Sequence, residues 1–181
     1  MLKMLVPVLF AVFLPFMATA GEAQDKVIAA IKAICVEGYG DGKTLEAAES
    51  FDGAVKFQDP TPDSVSYRVE VVPERYLIII FSNEGGACTV VTPLDFAPEL
   101  DVMAESLGGA RHMLDEEDQN LFFLKKHNLM TMTIDARFRG DGMMVRTVVV
   151  SNKSNWDHMI AEAESQGRRL PEEFHKTPWL R

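Results

Sequence analysis

The chain has 181 residues, 27 of them acidic and 18 basic, and it holds only two cysteines. Its net charge of -9 repels phosphate backbones and anionic lipid headgroups, so nucleic acid and membrane surfaces are poor partners and cationic ones better, though the same charge also serves solubility alone. A chain of this size can bury one substantial core without needing a second domain.

Residues 1–20 place Lys3 before an apolar run from Met4 to Met17, and Ala18-Thr19-Ala20 before Gly21. That order predicts a secretory signal peptide, removed to leave a single globular domain over 21–181. As a membrane anchor the run is about half a dozen residues short of a span, and Pro7 and Pro15 interrupt it. No cysteine marks the cleavage point for a lipid, and no later run is long enough to cross a bilayer. Loss of Lys3, the sole charge of the segment, takes the net charge from -9 to -10. The expected location is the periplasm or the secreted milieu.

Cys35 and Cys88 match no zinc or redox spacing, and an exported chain with one such pair most simply forms one disulfide. The competing reading, two buried thiols, needs a reducing compartment, and the leader argues against one. Closing the loop between them would stabilise the fold by about 4 kcal/mol on the chain-entropy model.

From Gly21 to Glu37, Val27, Ile28, Ile31, Ile34 and Cys35 recur on one helical face, and Gly38 is expected to end the helix. A second helix is predicted from Leu45 to Phe51, capped by Thr44 and stopped by Asp52-Gly53. Val55 and Phe57 suggest a short strand, Asp59 to Asp63 a proline-rich loop, and Val65, Tyr67, Val69 and Val71 a half-buried strand that Pro73 closes. Tyr76 to Thr92 reads as a buried hairpin bent at Gly85-Gly86: Leu77, Ile79 and Phe81 share a face with Cys88, Val90 and Thr92, which a helix should cover. Ile78 and Ile80 point the other way, which predicts a strand covered on both sides.

Pro98 to Leu107 predicts a helix with Leu100, Met103, Ala104 and Leu107 inward and Gly108-Gly109 as its stop. Arg111 to Gln119 reads as a loop or one helical turn, and Leu121 to Leu124 as a short strand. A second hairpin bends at Gly140-Asp141, pairing Phe138 with Met143, Ala136 with Val145, Ile134 with Thr147 and Met132 with Val149 on an apolar face, and Asp135 with Arg146 on the other. Ser154 to Gln166 predicts a helix with a Ser154–Asp157 capping box and a stripe of Trp156, Met159, Ile160 and Ala163. A tail from about residue 168 carries Leu170, Phe174 and Trp179. A helix and three strands recur in the manner of a weak duplication, with linkers too unequal to press it.

The motifs with chemical content are weak. Gly42-Lys43-Thr44 imitates a phosphate loop, yet Glu37 stands where its first glycine belongs and a helix precedes it where a strand is needed. Arg139-Gly140-Asp141 is explained by the needs of a tight turn, and Asn152-Lys153-Ser154 is a chance-level glycosylation sequon. His127, Met130, Met132, Met143 and Met144 could supply soft ligands to copper(I), but Met130 and Met132 fall in a core-packing pattern. Asp115 to Asp118 lack the alternate spacing of a calcium loop. His112, His127, His158 and His175 are scattered, and no nucleophile motif accompanies them.

The sequence therefore predicts an α+β fold: an antiparallel sheet of five to six strands with helices packed on it and one disulfide, Cys35 to Cys88. No catalytic, cofactor-binding or metal residue is assigned. The expected function is that of an exported small binding, inhibitory or accessory protein acting on an unknown protein or small ligand of the cell envelope. A copper-binding protein and a hydrolase of unfamiliar type are the alternatives.

Overall fold

The computed structural model describes residues 20–57, 64–82, 87–113, 119–124, 127–137 and 142–165. Residues 1–19 of the expected leader, the proline loop at 59–63, the bends at Gly85-Gly86 and Gly140-Asp141, the acidic run 115–118 and the tail with Leu170, Phe174, His175 and Trp179 lie outside these residues.

The amphipathic opening segment forms α1 (Ala20–Ala30), which runs directly into a π-helical segment, Ile31–Gly38. The i→i+5 winding buries Ile31, Ile34, Cys35, Val36 and Gly38, a broader face than an α-turn would turn inward. Gly38 is the last residue of the π-helical segment but not a stop, because helical winding continues through Tyr39 and Gly40. A Cβ there would lie 2.8 Å from Ala47 Cβ, so its smallness lets α2 (Thr44–Ser50) approach. The chain reverses at Gly42, φ +70°, and the Lys43 amide donates to the Gly38 carbonyl at 2.6 Å. Thr44 is the first residue of α2 rather than its side-chain cap.

Among the described residues eight strands follow: β1 (Ala54–Phe57), β2 (Ser64–Val72), β3 (Arg75–Ser82), β4 (Cys88–Pro93), β5 (Gly109–Met113), β6 (Gln119–Leu124), β7 (Leu129–Arg137) and β8 (Met144–Asn152). A 3-10 turn (Leu94–Phe96) and α3 (Leu100–Ser106) separate β4 from β5, and α4 (Lys153–Ser165) follows β8. All eight strands form one antiparallel sheet in the order β1-β2-β3-β4-β8-β7-β6-β5. The expected class holds, with a sheet wider than five to six strands. One added strand is β5, where a loop or helical turn was expected: residues 109–113 pair with β6 from Gly109↔Leu124 to Met113↔Asn120, a contact that lies beyond any local pattern.

Both hairpins keep the predicted faces. Phe81 pairs with Cys88 and Ile79 with Val90, and Tyr67, Val69, Leu77, Ile79, Cys88 and Val90 are all 0–1% exposed in one cluster with Val27, Ile31, Ile34 and Met103. Cys35 is bonded to Cys88, with 5.4 Å between their Cα atoms. Ile134↔Thr147, Asp135↔Arg146, Ala136↔Val145 and Met132↔Val149 pair as read from the sequence. The direction of that second hairpin differs from the reading. Leu129, Thr131, Thr133, Val148 and Val150 lie on the helix-covered face, where Val90↔Val148 and Cys88↔Val150 align them, and are buried, while on the opposite face Met130, Val145 and Ser151 are buried as well. The Met132–Ile134 face is the outer one.

Candidate functional site

The outer face of the sheet carries a row of apolar side chains that keep access to solvent. Register places Arg68, Ile78, Val91, Thr147 and Ile134 side by side across five strands. Ile78 and Tyr76 are each 37% exposed, while Val91, Ile134, Met132 and Val149 are half-buried. The expectation that β3 would be covered on both sides is thus corrected: the helices cover its Leu77–Ile79–Phe81 face, and Ile78 keeps access to solvent. β-branched and aromatic residues favour the strand on either face, so a solvated apolar strip costs local propensity nothing. Its rim is charged, with the Arg68 guanidinium 5.1 Å from the Tyr76 ring centroid and Glu70 exposed. Such a strip rimmed by charge is the usual form of a protein-recognition surface.

A concavity of about 250 Å³ opens between the π segment and α2, where Glu37, Asp41, Lys43, Glu46 and Ser50 gather. Three carboxylates and one ammonium make it acidic. Among the described residues no group of three or more His, Cys, Asp and Glu is placed to hold a metal ion.

The soft-ligand residues are spread along the β7–β8 hairpin. His127 precedes β7 at the end where Leu129 meets Asn152, whereas Met144 pairs with Arg137 at the opposite end, about 25 Å away at strand rise. Met130 is 1% exposed, and Met143 and Met144 are 38% and 39% exposed. His127 packs instead on the backbone of Gly40, where a Cβ would lie 2.5 Å from its Nδ1. Nearby, Asn155 Nδ2 donates to the Tyr39 hydroxyl at 3.2 Å. His158 is exposed on α4, and His112 lies in the edge strand β5.

Gly42-Lys43-Thr44 is the turn between two helices, with no strand leading into it. Asn152 of the sequon caps α4: its Oδ1 accepts from the Asn155 amide at 2.9 Å, taking the part given to Ser154 and Asp157. Sequence reasoning missed one group of consequence. Arg146 is 8% exposed; its Nε and Nη2 donate to Asp135 at 2.7 and 2.6 Å, and its Nη1 to the Pro98 carbonyl at 2.6 Å. The Asp135 pairing was legible from register, but the carbonyl 48 residues away was not.

Among the described residues no helix is long and apolar enough to cross a membrane. Comparison with protein-family models, with curated proteins and with solved structures finds no match.

Proposed function

We propose that this chain is an exported binding or accessory protein of the cell envelope that recognises a protein partner through the outer face of its sheet. One observation carries the reading: the Arg68–Ile78–Val91–Thr147–Ile134 row leaves a large aliphatic side chain 37% exposed at Ile78. The leader and the buried Cys35–Cys88 bond support an oxidising compartment. The net charge of -9 favours a partner whose apolar patch has a basic rim, since opposite fields steer the encounter.

The test is parallel capture from native envelope extract by the tagged oxidised protein and by its Ile78→Asp variant, with identification by mass spectrometry. The reading expects a discrete protein retained by the parent and lost with the variant. Identical capture by both, or none across a range of salt, removes it.

A further inference from the structure

We infer that the chain is a fused dimer: residues 44–93 and 100–152 are two copies of one helix-plus-four-strand unit, joined through β4 and β8 as two subunits join across a two-fold axis. The first unit runs α2-β1-β2-β3-β4 and the second α3-β5-β6-β7-β8. The sheet order β1-β2-β3-β4-β8-β7-β6-β5 is the same unit read inward from either edge, so the two final strands meet at the centre.

The seam itself is self-complementary. Thr89-Val90-Val91 lies antiparallel to Thr147-Val148-Val149, with Thr89↔Val149, Val90↔Val148 and Val91↔Thr147. Identical tripeptides thus pair reciprocally: Val90 meets its own counterpart Val148, while Thr89 and Val91 each meet the counterpart of the other, the signature of an isologous interface with its axis at Val90–Val148. Both valines are 0% exposed.

Independent marks fall at matching places. Ala48-Glu49-Ser50 ends α2 and Ala104-Glu105-Ser106 ends α3, each followed by a left-handed glycine, Gly53 at φ +79° and Gly108 at φ +71°, immediately before the first strand of its unit. The second-to-third strand turns hold the two positive-φ non-glycine residues found among the described residues, Glu74 and Asn128. Ala163-Glu164-Ser165 ends α4, which follows β8 as α3 follows β4. Local turn chemistry does not require the same tripeptide at the helix end of each unit; descent of α2 and α3 from one unit accounts for it. The surface that β4 presents to β8 therefore fits a second copy of the unit, and residues 94–99 connect the copies, with Asp95 bonded to Arg75 of the first and the Pro98 carbonyl to Arg146 of the second.

The experiment uses the full chain with a protease site inserted after Asp95, cut in the folded state. The Cys35–Cys88 bond lies wholly within the first piece, so it cannot bind the two. The expected result is one particle of unchanged mass by native mass spectrometry, which re-forms one-to-one after denaturant has parted the pieces. Val90→Ala and Val148→Ala should each raise the dissociation constant of the cut protein by about tenfold, equally within about threefold because both sit on the axis; Val90→Lys should separate the pieces. Pieces that part without a seam change, that fail to re-form, or that ignore Val90→Ala and Val148→Ala overturn the inference.

Discussion

Cys88 and Arg146 stand in matching places, each two residues ahead of the valine at the centre of the β4–β8 pairing. Cys88 ties its strand to the layer above, at Cys35 in the π segment; Arg146 is tied to Asp135 on the neighbouring strand β7 and, outside the sheet, to the Pro98 carbonyl ahead of α3. One tie is covalent and joins sheet to helix; the other is a charge-assisted bidentate pair between strands with one hydrogen bond to the chain ahead of α3.

Cleaving the covalent tie acts chiefly on the unfolded chain. With 53 residues between the sulfurs, Cys35→Ser with Cys88→Ser should lower stability by about 4 kcal/mol at most. Urea unfolding of oxidised and variant protein reads this directly, and unchanged midpoints would contradict it. Both cysteines are 0% exposed, so thiol labelling after reduction should follow unfolding.

Removing half of the ionic tie should cost more than removing all of it. Asp135→Ala leaves the Arg146 guanidinium, 8% exposed, without its counter-charge, a loss of about 3 kcal/mol. Adding Arg146→Met should recover part of that loss. A double-mutant cycle by chemical denaturation measures the coupling, and strict additivity would show that the pair does not act as a unit.

Gly40 is small because His127 lies on it. Gly40→Ala would put a Cβ 2.5 Å from Nδ1 and 2.9 Å from Cβ of that histidine, which should destabilise by about 1–3 kcal/mol. His127→Ala in the same chain should restore most of the melting temperature. No restoration would mean that the backbone, not the ring, sets the requirement.

Tyr67 is 1% exposed and its hydroxyl donates to Glu49 Oε1 at 3.2 Å. Burial first, then the Glu49 charge and this hydrogen bond, push its pKa above the usual 10.0. A raised folded-state value means that the protonated form is favoured by folding, so its stabilisation is complete below the unfolded value and lost as pH rises through the folded one. Absorbance titration should show one tyrosine ionising later than the rest, and Glu49→Gln should bring it earlier.

Adjacent isoleucines of β3 should answer to opposite environments. Ile79, 0% exposed, is expected to cost about 2–5 kcal/mol as alanine, whereas Ile78, 37% exposed, should tolerate threonine at under about 1 kcal/mol. Equal losses would place a cover over the outer face.

Period-two and helical spacing, together with turn residues, were enough by themselves to reveal the two hairpins, the faces of the first and the register of the second, the covering helix and the Cys35–Cys88 bond, because each depends on neighbours close in the chain or on a single possible partner. The same kind of signal left the sides of the second hairpin undecided: Met132–Ile134 is as apolar as Thr131–Thr133 is not, and only the alignment of β8 on β4 turned the threonines and Arg146 toward the helices. The strand at Gly109–Met113, the glycines at 38 and 40 held small by Ala47 and His127, and the seam of two matching units were likewise settled in tertiary structure. Each is a contact between segments far apart in sequence, whose energy appears only once the chain has closed on itself.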